Sequence, residues 1–87
     1  MTSAELIANK YEELKALQLY KNESYGDTAL NPPNIFSKLE PIEAIKVRLD
    51  DKLSRIKNMG ITDQTEDSVK DAIGYLVLLD IELDKNR

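Results

Sequence analysis

The chain has 87 residues and a formal net charge of −4, and it contains neither cysteine nor histidine. The missing residue types exclude disulfides, thiol nucleophiles, imidazole bases and ordinary Cys/His zinc sites, so any bound metal would be a hard ion with oxygen ligands, such as Mg²⁺. A chain of this length forms one small domain with a marginal core, because it buries only ~60% of the surface that its unfolded form exposes.

The start of the chain shows no targeting signal. The residues MTSAELIANKYEEL lack a basic start followed by an apolar run, and the longest apolar stretch, Tyr75 to Leu79, is too short to span a bilayer. The negative net charge disfavours DNA or RNA as a partner, although residues 38–58 carry six basic and four acidic side chains between two acidic segments. We therefore expect a soluble cytoplasmic protein that makes no membrane contact.

A capping box predicts where the first helix begins. Thr2 can accept hydrogen bonds from the first free amides while Glu5, three residues later, reaches back to it. The apolar residues that follow recur at helical spacing, and they are Leu6, Ile7, Tyr11, Leu14 and Leu17. The pattern predicts a helix over about residues 3–22.

The next stretch, KNESYGDTALNPPNIFSK, fits no helical pattern. Gly26 permits a positive φ, and the adjacent Pro32 and Pro33 make the chain stiff and extended. Loops of about 14 residues or more within a compact domain are usually either functional or disordered, and the apolar residues of this one disfavour disorder. We expect an ordered loop over about residues 23–37 that forms part of a site.

The second helix has two possible starts. Ser37 and Glu40 form another Ser-x-x-Glu box, whereas Pro41 suits the first position of a helix. A stripe of apolar residues then continues to the stop signal at Gly60, so we expect the helix over about residues 41–58.

Three basic residues of this helix form a second stripe, about 100° from the apolar one, which we call the basic stripe: Arg48, Lys52 and Arg55. It is either a solvated flank or a row of cations that bind phosphates. Arginine favours the second interpretation, because its planar guanidinium suits bidentate phosphate contact.

The third helix is expected over about residues 66–85, where an acidic first turn suits the positive end of the helix dipole. From Val69 to Leu83 the sequence is apolar on almost every face, and such a helix needs burial all round. Two amphipathic helices cover only part of it. We therefore predict that a second copy packs on the remainder, with Gly74 allowing a close helix approach.

No stretch alternates with a period of two, so no sheet is expected. The predicted fold is all-α: a three-helix up-down arrangement with a long ordered loop between helices 1 and 2, assembled as a helical-bundle homo-oligomer, a homodimer or larger.

Carboxylates of the third helix have two possible roles. Asp67 and Asp71 stand four residues apart on one face, where they could hold Mg²⁺ or pair with the basic stripe. Asp80, isolated within YLVLLDIEL, is expected to be a buried partner of a lysine or arginine.

Three segments together resemble small bacteriophage proteins and are similar to the all-α nucleotide pyrophosphohydrolases of the MazG and dimeric dUTPase type. They are the Lys-Asn-x-x-Tyr-Gly-Asp turn, the helix VRLDDKLSRIKN and the closing helix EDSVKDAIGYLVLL, and the resemblance covers about residues 20–83. It implies an oligomeric bundle that cleaves nucleoside triphosphates with Mg²⁺ held by two acidic motifs. In this chain the implied metal residues are Glu43, Asp67 and Asp71, with Ser68 at the position of a family ligand Glu.

Because this departure removes part of the metal motif, the resemblance favours binding of a phosphorylated nucleotide, with Mg²⁺ as a possible cofactor. In a phage-encoded protein acting in the host cell cytoplasm, such binding would sequester a nucleotide signal of a host defence. The basic residues would meet the phosphates, Tyr25 would stack on a base and the asparagines would read its edge. The full set of expected ligand residues is Lys21, Asn22, Tyr25, Gly26, Asp27, Asn31, Arg48, Lys52 and Arg55.

Two alternatives remain open. One is a Mg²⁺-dependent nucleoside triphosphate pyrophosphohydrolase, and the other is a structural or protein-binding helical oligomer whose charged side chains are solvated or paired.

Overall fold

The computed structural model describes all 87 residues, which form three α-helices and one short 3-10 helix and no strand. Helix α1 spans Ser3–Ser24, α2 spans Pro41–Met59 and α3 spans Glu66–Lys85, with the 3-10 helix Asp63–Thr65 directly before α3. The predicted all-α class is confirmed. None of the helices combines the length and apolar character that crossing a membrane requires.

Local side-chain hydrogen bonds fix where α1 and α2 begin. The hydroxyl of Thr2 accepts from the Glu5 amide at 3.1 Å, and the Glu5 carboxylate accepts from the Thr2 amide at 3.3 Å. Helix α2 begins at Pro41. Proline lacks a backbone N–H, and an N–H at the first position of a helix has no acceptor within the helix. The hydroxyl of Ser37 instead accepts from the Leu39 amide at 3.2 Å and closes a local turn.

The Tyr-Gly-Asp triplet ends α1 in a Schellman motif. The amide of Gly26 donates to the Glu23 carbonyl at 3.1 Å, and the amide of Asp27 donates to the Asn22 carbonyl at 2.9 Å. Gly26 has a φ of 67°, which glycine adopts without strain. The Tyr-Gly-Asp turn therefore has a structural role, because it satisfies carbonyls that the helix end leaves free.

A buried threonine organises the turn from α2 to α3. The hydroxyl of Thr65 donates to the Gly60 carbonyl at 2.7 Å and accepts from the Thr62 amide at 2.9 Å. Gly60 has a φ of 79°, and Thr65 is fully buried. These bonds hold the chain in the reversal that brings α3 back along α2.

The core lies between α2 and α3 and is small. Ile45 is fully buried and Ala72 is nearly so, and no other apolar residue is buried. Leu53, a member of the apolar stripe of α2, is 48% exposed, and α1 contributes no buried residue. A single chain therefore leaves most of its apolar side chains in contact with water.

Helix α1 rests on α3 through polar contacts of its C-terminal half. The side-chain amide of Gln18 donates to the Gly74 carbonyl at 3.0 Å, and Glu13 pairs with Lys70 at 3.6 Å. A Cβ added at Gly74 would lie 3.5 Å from the Gln18 amide nitrogen, an ordinary contact. Alanine would fit, so within the chain the helix approach does not require the glycine.

The prediction for Asp80 is wrong, because its side chain is exposed and has no ion pair. The face of α3 that carries it is not covered by α1 or α2. The buried carboxylate of α3 is Glu82, which is 8% exposed and pairs with Lys85 at 3.2 Å. Exposed apolar side chains of α3 include Ile73, Leu76, Val77 and Ile81.

Candidate functional site

A groove of about 750 Å³ lies between α1, the following loop and α3. It has an apolar part, whose lining includes Tyr11, Leu14, Ile73, Val77, Leu78 and Ile81. It also has a basic end, which we define by Lys21, Arg48 and Lys52. Five basic but only two acidic side chains line the groove, although the chain as a whole carries a net charge of −4.

One carboxylate joins all three helices at the basic end. Asp71 of α3 pairs through Oδ1 with Lys21 of α1 at 2.7 Å and through Oδ2 with Lys52 of α2 at 3.1 Å. We call these three residues the Asp71 clasp. Both carboxylate oxygens are engaged, and the two lysines are held close together with one net positive charge.

The contacts within the clasp shift the pKa values of Asp71 and Lys21 in opposite directions. Burial alone would raise the pKa of Asp71, but hydrogen bonds from Lys21 and Lys52, together with their charges, outweigh it and hold the pKa below its ordinary value. The hydrogen bond to Asp71 raises the pKa of Lys21 against the opposing effect of burial. Both shifts favour the charged forms of Asp71 and Lys21.

Arg48 is the unpaired cation of the basic end. It lies one turn before Lys52 on α2, its side chain is exposed, and it makes no ion pair or hydrogen bond within the chain. Its guanidinium is therefore available to a ligand without the loss of an internal contact. A planar guanidinium can donate two parallel hydrogen bonds to one phosphate.

The loop that follows α1 carries a tyrosine and a hydrogen-bonded polar cluster. Tyr25 lines the groove with its side chain 68% exposed. The side-chain amides of Asn22 and Asn31 both donate to the Asp27 carboxylate, at 3.2 Å and 2.9 Å. Asn22 and Asp27 line the groove, whereas Asn31 supports the loop from outside it.

Arg55, the last member of the basic stripe, does not line the groove. Its guanidinium donates to the Gln64 carbonyl at 3.0 Å and to the Ser68 hydroxyl at 3.4 Å. It therefore ties α2 to the start of α3. Gly26 also lies outside the lining, where it serves the helix end described above.

The structure does not bring the predicted metal residues together. Glu43 pairs with Lys46 at 3.1 Å, Asp67 is exposed in the first turn of α3, and Asp71 belongs to the clasp. No group of three or more acidic side chains is arranged to hold a metal ion. Two roles were open to the carboxylates, metal binding and pairing with the basic stripe. Asp71 has the second role, because it pairs with Lys52 of that stripe.

The sequence pattern did not indicate that three further residues, Lys15, Gln18 and Lys70, line the groove. Lys15 and Lys70 add positive charge to the rim, and Gln18 fixes α1 on α3 through the Gly74 carbonyl. Their side chains are ordinary for helix surfaces, and only the crossing of α1 over α3 makes them neighbours of the basic end.

No family model, curated protein or solved structure matches this chain. Its function is therefore argued from the chemistry of the groove.

Proposed function

We propose that this protein binds a phosphorylated nucleotide at the basic end of the groove and holds it without hydrolysing it. The observation that carries the proposal is the convergence of Lys21, Arg48 and Lys52 beside Tyr25 in the groove of an acidic protein. A cluster of cations in a chain with a net negative charge concentrates positive potential at one place and attracts an anion there.

The phosphates would be bound by Arg48 and the two clasp lysines. The planar guanidinium of Arg48 has no partner within the chain, so its N–H groups can donate to a phosphate. The clasp holds the ammonium groups of Lys21 and Lys52 near the Asp71 carboxylate. Three cations against one carboxylate leave two positive charges, which suits a phosphate dianion. The clasp also lowers the entropic cost of binding, because its lysines are already ordered.

The base would lie against Tyr25. An exposed aromatic ring offers a face on which any base can stack, with a contribution of about 1–3 kcal/mol. The side-chain oxygen of Asn22 accepts no hydrogen bond within the chain and can accept one from an exocyclic amino group. The apolar part of the groove continues from this point.

Hydrolysis is not part of the proposal, because the carboxylates of the implied metal motif do not form a cluster at the basic end. Both oxygens of Asp71 face lysines, and the other residues of the implied metal motif do not join it. A bound triphosphate would thus meet cations but no carboxylate cluster able to position Mg²⁺ and an attacking water.

The resemblance to small phage proteins suggests how such binding would be used. A small protein made in quantity, as a homo-oligomer in the host cytoplasm, would lower the free concentration of a nucleotide signal on which a host defence depends. This part of the proposal rests on the resemblance and not on the groove.

Thermal denaturation in the presence of nucleotides tests the proposal. Nucleoside mono-, di- and triphosphates and cyclic dinucleotides are added without Mg²⁺. Inorganic phosphate and pyrophosphate are added in parallel samples for comparison. We expect at least one nucleotide to raise the melting temperature more than the inorganic anions do. Arg48→Ala should weaken its binding by about 10- to 100-fold, the equivalent of one charge-assisted hydrogen-bond group.

Lys57→Ala is the matched control, because it removes an exposed cation from the same helix outside the groove. It should bind as the unaltered protein does. Equal weakening by both substitutions would indicate a general charge effect, and no response to any nucleotide would rule the proposal out.

A second candidate is a helical oligomer that acts only through protein contacts. It is favoured by the exposure of apolar side chains on α1 and α3, which include Leu6, Ile7, Leu76 and Val77. The nucleotide panel separates the two candidates, since the second predicts no response to nucleotides.

A further inference from the structure

The first ten residues of α1 make few contacts with the rest of the chain, and we call residues 3–12 the arm. Every residue of the arm is exposed, and none makes a hydrogen bond or ion pair to α2, α3 or the loop. Tyr11 lines the edge of the chain's own groove, whereas the apolar side chains Leu6 and Ile7 are 55% and 58% exposed and lie outside it. An isolated helical segment of this length is marginal in water, so the arm needs a packing surface.

The groove of the same chain contains an exposed apolar surface on which the apolar side chains of the arm could pack. The apolar part of the groove presents Ile73, Val77 and Ile81, which are 37%, 41% and 37% exposed. Burial of the exposed part of each of these side chains against another apolar surface would favour association. The chain thus contains both an unpartnered apolar helix and an unfilled apolar groove.

The amount of exposed surface fits burial against one more copy. The chain exposes 6784 Å², whereas a compact protein of 9.9 kDa exposes about 5,200 Å². The excess of about 1,600 Å² lies within the roughly 1,000–2,500 Å² that each chain of an obligate homodimer buries. A small peptide or metabolite would cover only a fraction of it.

One unpaired charge on each surface favours the same occupant. Lys70 already pairs with Glu13 and Glu66 of its own chain, at 3.6 Å and 3.2 Å. Glu12 of the arm and Lys15 of the groove lining make no ion pair within the chain. An arm from a second copy would bring Glu12 towards Lys15, which favours that occupant over a basic one.

We infer that two copies exchange arms, each laying Leu6 and Ile7 over the apolar part of the groove of the other. This inference rests on the proposed self-association and adds the segment that produces it. A two-fold axis makes the contact reciprocal, so that both arms and both grooves are used. Each arm would also close the groove beside the basic end, so the nucleotide site would be complete only in the dimer.

Sedimentation of the full chain at micromolar concentration tests the inference. The unaltered protein should sediment as a dimer. The double substitution Leu6→Glu with Ile7→Glu should weaken the dimer at least tenfold, because it places charges on the arm where apolar contact is needed. The double substitution Ile35→Glu with Phe36→Glu is the matched control, since it charges two loop side chains that are 78% and 98% exposed and lie outside the groove.

A cross-link locates the contact without charged substitutions. The chain has no cysteine, so Ile7→Cys and Ile81→Cys give two proteins with one thiol each. When they are mixed and treated with a short bismaleimide, we expect a covalent pair that contains one copy of each. Phe36→Cys mixed with Ile81→Cys should give far less of it.

The possible outcomes separate the inference from the function. A clean monomer would overturn both the arm exchange and the proposed self-association. A dimer that survives the arm substitutions and gives no cross-link between positions 7 and 81 would overturn the arm exchange alone. Nucleotide binding is measured independently, by the shift in melting temperature.

Discussion

At the scale of single residues, Asp71 decides how the basic end is built. Its two oxygens hold Lys21 and Lys52, so one carboxylate connects α1, α2 and α3. Asp71, one of the metal residues predicted from the sequence, thus orders two lysines. The same contact stabilises the fold and prepares the proposed phosphate site.

Replacing Asp71 by asparagine should lower the free energy of unfolding by about 1–2 kcal/mol at pH 7. A hydrogen bond to a charged group contributes about 1.5–3 kcal/mol, and the value is reduced here because the Lys21 and Lys52 side chains are 41% and 32% exposed. Urea denaturation at fixed protein concentration measures the change. Glu43→Gln, which removes an exposed ion pair, should cost less than about 0.5 kcal/mol.

The cost of Asp71→Asn should depend on pH in a defined direction. The pKa of Asp71 is lowered in the folded state, so its contribution is present above the ordinary aspartate pKa of about 3.9 and is lost as the pH falls through the lowered folded value. The two proteins should therefore converge in stability between about pH 5 and pH 2. An unchanged difference at the acid end would show that the clasp does not stabilise the fold through its charge.

At the scale of elements, hydrogen-bonded turns decide where the helices point. The Schellman motif at Gly26 turns the chain out of α1, and the Thr65 hydroxyl holds the reversal from α2 to α3. The core contains only two buried apolar residues. Hydrogen bonds in the turns therefore contribute strongly to holding the three helices in their relative positions.

Thr65→Val should lower the free energy of unfolding by about 2 kcal/mol. Valine keeps the shape of the side chain but leaves the Gly60 carbonyl and the Thr62 amide without this partner, and an unsatisfied buried group costs about 1–3 kcal/mol. Chemical denaturation at one protein concentration provides the measurement. Thr28→Val should be nearly neutral, because the Thr28 hydroxyl makes no hydrogen bond within the chain; a similar loss in both variants would contradict this role for Thr65.

At the scale of the whole molecule, one chain is too extended to account for its own stability. The radius of gyration is 14.4 Å, whereas a compact chain of this length has about 12 Å. Two buried apolar residues make a core far smaller than the entropy of folding requires. Arm exchange would supply the missing burial.

The melting temperature should therefore rise with protein concentration. If folding and dimer formation are coupled, a tenfold increase in concentration should raise it by about 4 °C, given an unfolding enthalpy of about 0.7 kcal/mol per residue for both chains together. Calorimetry over a 100-fold concentration range measures the slope. A melting temperature independent of concentration would mean that the monomer folds by itself.

The local features of this protein could be predicted from its sequence. The Thr2–Glu5 box, Pro41 and Gly60 set helix ends through contacts within a few residues, and the apolar content of α3 exceeds what two helices cover. The basic stripe was predicted as one unit, but its members separate: Lys52 and Arg48 line the groove, whereas Arg55 binds the start of α3.

The helices, their caps and the surplus of apolar surface follow from the sequence alone, because these depend on neighbours close along the chain. The packing of the helices sets the meeting of Lys21 and Asp71, fifty residues apart, at 2.7 Å, and leaves Glu43 paired with Lys46 instead of joining them. Such partners depend on how α1 crosses α3 and on the turn at Thr65. Helical spacing gives the face on which a side chain lies, but the element that meets that face is set by packing.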